Sequence, residues 1–162
     1  DKSHYYKIGM GEKNNAWIVG FKMDETDNPV NIIMEDETSS VIPDYIISCP
    51  DIVQGMVFLN DDDRLVLSKS YGRTNDSTIQ IYSIDIDSNT SWVEIENKNI
   101  PTWVLSKQNL EKELLVLPMA EGVIQIEDYF YVLYESASKK YLATTKYATD
   151  YIWKISVAEL ID

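Results

Sequence analysis

Two stretches of the sequence, 53–70 and 120–136, carry the same order of side chains, and repetition of a unit this long commits a chain to a succession of similar supersecondary pieces. The first reads Val53-Gln54-Gly55-Met56-Val57-Phe58, an acidic turn, then Arg64-Leu65-Val66-Leu67-Ser68-Lys69-Ser70. The second reads Ala120-Glu121-Gly122-Val123-Ile124-Gln125, a turn, then Tyr129-Phe130-Tyr131-Val132-Leu133-Tyr134-Glu135-Ser136. The glycines lie 67 positions apart (122 − 55) and the closing serines 66 (136 − 70), so the copies differ by one residue. That residue falls in the turn, where a hairpin accepts a change of length. A third similar strand follows each hairpin, Thr78-Ile79-Gln80-Ile81-Tyr82-Ser83-Ile84-Asp85 and Tyr151-Ile152-Trp153-Lys154-Ile155-Ser156-Val157. A further copy of it stands near the start as Ala16-Trp17-Ile18-Val19-Gly20-Phe21-Lys22-Met23-Asp24 with no hairpin before it. The repeat predicts a meander of at least three strands.

The rest of the chain agrees with an all-β fold. Runs of Ile, Val, Tyr and Trp bounded by Asp, Asn, Gly, Ser and Pro predict ten strands, at 15–22, 30–34, 45–48, 53–59, 64–70, 78–85, 102–105, 122–126, 130–135 and 151–155. Helix is expected only over 107–113, where Gln, Glu, Lys and Leu cluster, and in the last residues, where Val157, Leu160 and Ile161 share a short face. Meanders repeating at this length, opening with Gln-Gly or Glu-Gly, are what β-propeller blades show. The expected organisation is one β domain or propeller fragment over 1–162. Residues 14–48 would end one blade and connect to the next, with blades at 49–100 and 101–162. Propellers close with typically four to eight blades, so this stretch reads as the C-terminal part of a five- or six-bladed ring. The partners it implies are remaining blades, from an N-terminal segment of the same protein or from another chain. The alternative is that the two meanders pack as a sandwich or open sheet.

Charge and composition narrow the function. With 27 acidic against 14 basic side chains the net charge is −13, which opposes the phosphate neutralisation that nucleic-acid binding needs. No apolar run approaches the ~20 residues of a spanning helix, so no membrane insertion is expected. One cysteine, Cys49, excludes an internal disulfide, and one histidine, His4, excludes a multi-histidine metal centre. The first residue is Asp1, not Met, from which removal of an upstream piece is expected. The acidic charge and the missing cysteine pairs fit an extracellular or cell-surface protein.

The segments Asn14-Asn15-Ala16-Trp17, Gln54-Gly55 with Ser68-Lys69-Ser70-Tyr71-Gly72-Arg73, and Pro118-Met119-Ala120-Glu121-Gly122 with Tyr134-Glu135-Ser136 resemble those of uncharacterised secreted bacterial propeller proteins. More distantly, the blade openings resemble the gluconolactonase-like (senescence marker protein) and NHL-type propellers. The resemblance runs from residue 14 onward. It implies a propeller fold and, by analogy with the lactonases, a metal ligand at Glu121, with calcium as the metal. The Asn and Asp segments that complete a lactonase site have no recognisable counterpart in this sequence.

Candidate site residues follow from the propeller geometry, in which the start of each first strand lines the central channel. Gln54 and Glu121 would occupy equivalent places there; the plainer reading is that each hydrogen-bonds neighbouring backbone. Ser68 and Ser70 share one side of their strand and are followed by Tyr71 and Arg73, a set suited to a carboxylate or a cluster of sugar hydroxyls. Alternatively, Arg73 pairs with Asp76 and the serines cap a loop. With no histidine beside them, these serines do not make a Ser-His-Asp nucleophile. Glu121 and Glu135 flank one hairpin, and two carboxylates are the minimum equipment of a glycosidase. Asp61-Asp62-Asp63, Glu35-Asp36-Glu37 and Asp85-Ile86-Asp87 invite a calcium reading but lack the EF-hand spacing and read as solvated turns. The expected function is a β-propeller-type binding module whose polar axial pocket, formed by Gln54, Ser68, Ser70, Tyr71, Arg73, Glu121, Glu135 and Ser136, holds a small ligand. The alternatives are a metal-dependent lactonase-like or glycosidase-like hydrolase and a protein-interaction scaffold.

Overall fold

The computed structural model describes residues 16–30, 32–35, 38–59 and 63–161. His4, Asn14, Asn15, Asp36, Glu37, Asp61 and Asp62 lie outside them. The described residues form thirteen strands and one short helix: β1 (Ala16–Gly20), β2 (Ile32–Glu35), β3 (Thr38–Val41), β4 (Tyr45–Cys49), β5 (Val53–Phe58), β6 (Arg64–Lys69), β7 (Ser77–Ser83), β8 (Ser91–Ile95), β9 (Lys98–Val104), β10 (Leu110–Val116), β11 (Ala120–Ile126), β12 (Tyr129–Tyr134), β13 (Trp153–Ser156) and α1 (Val157–Ile161). The fold is all-β. It divides into two compact units, 1–50 with 87–106 and 51–86 with 107–162. Residue 100, where the repeat places the junction of its two copies, falls inside β9.

The first unit is a four-stranded sheet in the order β1-β4-β9-β8, with β2 and β3 paired separately. The β4–β9 pair is parallel and the other pairs are antiparallel. Ile42, Ile46, Val93 and Ile100 make its core, with Trp17 and Ile95 packed against them. The β8–β9 hairpin turns on Glu96 and Asn97, both at positive φ (48° and 61°), as a two-residue turn matched to strand twist demands.

The second unit holds the repeat. Its first sheet runs β5-β6-β7-β10 and its second β11-β12-β13, both wholly antiparallel. Leu59, Val66, Ile79, Ile81 and Val116 of the first meet Phe130, Val132 and Tyr134 of the second in one core, closed by Leu160 of α1. The expectation of a helix at 107–113 is overturned: this stretch belongs largely to β10. Its burial alternates, with Leu110, Lys112 and Leu114 half-buried and Glu111, Glu113 and Leu115 exposed, so pairing with β7 outweighs a helix propensity worth tenths of a kcal/mol per residue. Strand β8 was not expected, and β9 begins earlier than the apolar run alone indicated.

The ladders also refine the repeat. Val57 pairs with Val66 and Val66 with Ile81, while Ile124 pairs with Tyr131 and Tyr131 with Lys154. Anchored on the glycines, the structural counterpart of Val66 is therefore Tyr131, one residue off the alignment that matches Ser70 to Ser136. A one-residue slip exchanges the two faces of a strand, so this register decides which side chains of the copies are equivalent.

Candidate functional site

Both first strands open on an irregularity, and it is the same one. The β5–β6 register slips between Val53 and Gly55, and the β11–β12 register between Ala120 and Val123. Such bulges re-aim side chains at the end of a ladder, here Gln54 and Glu121. Just before them, Ile52 and Met119 stand at φ 57° and 63°, a region costly for residues with a Cβ, above all β-branched ones. The carbonyl of Ile52 accepts the Ser70 N–H (3.2 Å) and that of Met119 accepts the Glu135 N–H (3.1 Å), which pins both kinks.

The two kinked strands lie against each other, β11 packing on β5 and β6. Gly55 marks the contact: a Cβ there would stand 2.5 Å from the Glu121 carbonyl oxygen and 3.1 Å from the Val123 nitrogen. Only glycine allows this approach. Gln54 and Glu121 thereby come to one depression of about 190 Å³, which Ser70, Arg73 and Glu135 also line. Five of the eight residues singled out from the sequence meet here. Ser68 does not: it is buried, and its hydroxyl donates to the Ala120 carbonyl (2.9 Å). Ser136 is buried as well, its Oγ accepting the Thr149 N–H (3.0 Å). Tyr71 is 69% exposed and lies outside the depression. Ser70 stands between roles, because it lines the depression while the Ser77 hydroxyl donates to its Oγ (3.1 Å). Ser77 in turn accepts the Ala120 N–H (3.2 Å).

Arg73 does not pair with Asp76, whose carboxylate is held by Lys146 Nζ at 2.9 Å. Its guanidinium donates to Thr144 Oγ1 (3.1 Å) and lies 4.8 Å from the centre of the Tyr141 ring. The Arg73 carbonyl accepts the Lys146 N–H (2.9 Å), tying the arginine's backbone to the segment between β12 and β13. Thr144 takes one of five guanidinium donors. Burial, and then the negative charge of Glu135, raise the Glu121 carboxyl above its ordinary value. Lys140, whose Nζ is also 4.8 Å from the Tyr141 ring, holds its proton more tightly than usual through its bond to Tyr141 and the charges around it.

Met119, Gly72 and Tyr141 complete the lining and were not among the expected site residues. Met119 belongs to the Pro-Met-Ala-Glu-Gly segment, so proximity to Glu121 was its signal. Tyr141 sits in an irregular connection between β12 and β13, and connections longer than about 12–15 residues are commonly functional. Beyond that connection a larger depression of about 440 Å³ is walled by Leu115, Tyr134, Tyr147, Tyr151 and Trp153. Burial, and then the neighbouring Tyr151, push the Tyr134 phenol up to about 12.

Among the described residues no three His, Cys, Asp or Glu side chains gather into a group that could hold a metal ion. The depression offers two carboxylates, one amide and the hydroxyls of Ser70 and Tyr141, with a guanidinium beside them, whereas calcium takes six to eight oxygens. The residues present therefore do not fit the calcium site that the lactonase resemblance implies. No helix among the described residues is long and apolar enough to cross a membrane. Compared with known proteins, the chain matches no family model, no curated sequence and no solved structure.

Proposed function

We propose that this chain is a β-propeller-type binding module, part of a five- or six-bladed ring completed by further blades, and that its pocket takes a small polar ligand outside the cell. One observation carries the reading. Two repeats place the same bulge residue, an amide in one and a carboxylate in the other, into one depression together with an arginine and an aromatic ring. Packing alone would be served by apolar residues at these positions, whereas a ligand needs a few convergent polar groups. Gln54 supplies an amide donor and acceptor, Glu121 and Glu135 supply acceptors, and Arg73 supplies a fork suited to a carboxylate or paired hydroxyls. The acidic surface and the lone buried cysteine suit export.

The test is a thermal-shift titration with sugar acids, polyols and amino acids on the wild type and on Arg73→Ala and Gln54→Ala. A ligand that binds only the native state raises the melting temperature. The reading expects a shift from one of these classes that both variants lose. It fails if no class shifts the wild type, or if the shift persists in both variants.

The elevated Glu121 carboxyl beside Glu135 favours a second reading, a glycosidase-like hydrolase with Glu121 as general acid. It requires turnover that Glu121→Gln abolishes while the fold is retained. A protein-interaction scaffold would instead leave every pocket substitution silent.

A further inference from the structure

The two faces of the β11-β12-β13 sheet have unlike surroundings. One face is buried against the β5-β6-β7-β10 sheet. The other presents Ile124, Ile126 and Leu133, each 52% exposed, and Ile152 at 58%. They line an apolar groove of about 420 Å³ together with Tyr131 and Gly122. A continuous apolar surface on a sheet face marks a contact site.

The repeat says what belongs on it. By the ladder register, Ile124 corresponds to Val57, Tyr131 to Val66 and Lys154 to Ile81. Continuing the same pairing, Ile126 corresponds to Leu59, Leu133 to Ser68 and Ile152 to Ile79. In the first copy these residues are covered by the second copy: Val66, Ser68, Ile79 and Ile81 are 0% exposed and Leu59 is 1%. The two copies therefore pack head to tail, the front of the first on the back of the second, and no described residue covers the front of the second. The glycines report the same asymmetry independently. A Cβ at Gly55 collides with the backbone of Glu121, while a Cβ at the equivalent Gly122 meets the Leu133 side chain at ordinary distances, 3.7 Å to Cβ and 3.8 Å to Cδ2.

We infer that the exposed front of β11-β12-β13 is the seat of a further β-meander of this same repeat, carried on the same polypeptide beyond residues 1–162. This rests on the propeller reading above and names the blade that reading requires. The occupant presents a back face like that of Phe130, Val132 and Tyr134, with its first strand running backbone-close over Gly122 as β11 does over Gly55. It also carries an acidic or carbonyl group opposite Lys154, whose Nζ caps the Tyr129 and Tyr131 rings at 3.5 and 5.7 Å where the first copy has Ile81. The equivalent back face of this chain's own first meander, with Leu65, Leu67, Gln80 and Tyr82, is already buried, so it is not free to seat there in a second copy.

The experiment is thiol labelling with a maleimide of Leu133→Cys and, separately, Ile124→Cys, with buried Cys49 as the unreactive reference. Each variant is made both as this 162-residue chain and as the complete polypeptide that the cell produces. Expected is free labelling in the 162-residue chain and labelling at least about tenfold slower in the complete polypeptide, with no dependence on protein concentration. Equal rates in the two forms would overturn the inference. So would protection that grows with concentration, which would make a second copy the occupant, and so would a cellular product that carries no further meander. Pocket binding is read separately through Arg73→Ala, so failure here and failure there are distinguishable.

Discussion

Replacing Gly55 with alanine tests the central packing claim most directly. The new methyl would stand 2.5 Å from the Glu121 carbonyl oxygen, 3.1 Å from the Val123 nitrogen and 3.3 Å from the Gly122 Cα. None of these is the end of a flexible side chain. Relief requires β5 and β11 to separate by several tenths of an ångström, along a junction that also carries the Ser68 to Ala120 hydrogen bond. Overpacking of this kind costs about 1–3 kcal/mol. The loss of glycine's freedom in the unfolded chain offsets about 0.4–1 kcal/mol of it. For a protein of this size each kcal/mol moves the melting temperature by about 2–4 °C, so a fall of several degrees is expected. In the 162-residue chain the equivalent Gly122→Ala has ordinary space around its methyl and is expected to be neutral or slightly stabilising. Thermal and urea denaturation of the two variants side by side make the measurement. Equal shifts in this 162-residue chain would refute the head-to-tail arrangement on which both the pocket and the uncovered face depend.

Other substitutions have definite outcomes. Because the Glu121 carboxyl is raised by burial and by Glu135, its ionisation opposes folding; stability linked to it is complete below its unfolded value and lost as pH rises through its folded value. Glu121→Gln should therefore raise the melting temperature at pH 7 and give no advantage below pH 4.5, the ordinary value, as paired pH-melting series will show. Ser136→Ala leaves the buried Thr149 N–H without its acceptor and should cost about 1–3 kcal/mol by urea denaturation. Glu96→Gly removes a Cβ from a residue at φ 48° and is expected to stabilise the β8–β9 turn by up to about 1 kcal/mol. An unchanged or lowered urea midpoint would contradict the last assignment.

Much of the second unit could be read from the sequence because its determinants are local. Runs of Val, Ile, Leu and Tyr with acidic turns between them indicated β5, β6, β11 and β12, and the Gln-Gly and Glu-Gly pairs pointed to Gln54 and Glu121 as equivalent pocket residues. What escaped was set by distant partners. The stretch 107–113 has helix-forming side chains, yet most of it pairs with β7, a strand more than twenty-five positions earlier. Tyr141 reaches the pocket from a connection with no periodicity to read. Arg73 and Asp76, close in sequence and opposite in charge, looked like partners, but Lys146 reaches Asp76 and Thr144 reaches Arg73. The slip between Ser70 and Ser136 was invisible for a related reason, since sequence identity alone cannot reveal that the two hairpin turns differ by two residues rather than one.

The order of strands along the chain also shapes how the protein is made. During synthesis β5, β6 and β7 are complete before the hairpin of β8 and β9 and then β10 emerge, a delay on the order of seconds at the usual rate of translation. Throughout it the outer edge of β7 offers unpaired amides beside Ile79 and Ile81, an invitation to pair with another nascent chain. The strand that ends this exposure carries Glu111, Lys112 and Glu113 in its first half, so the finished sheet shows neighbours an edge that is charged at that end. Codon changes that slow translation between β7 and β10 should thus increase aggregation of newly made chains without altering the folded protein.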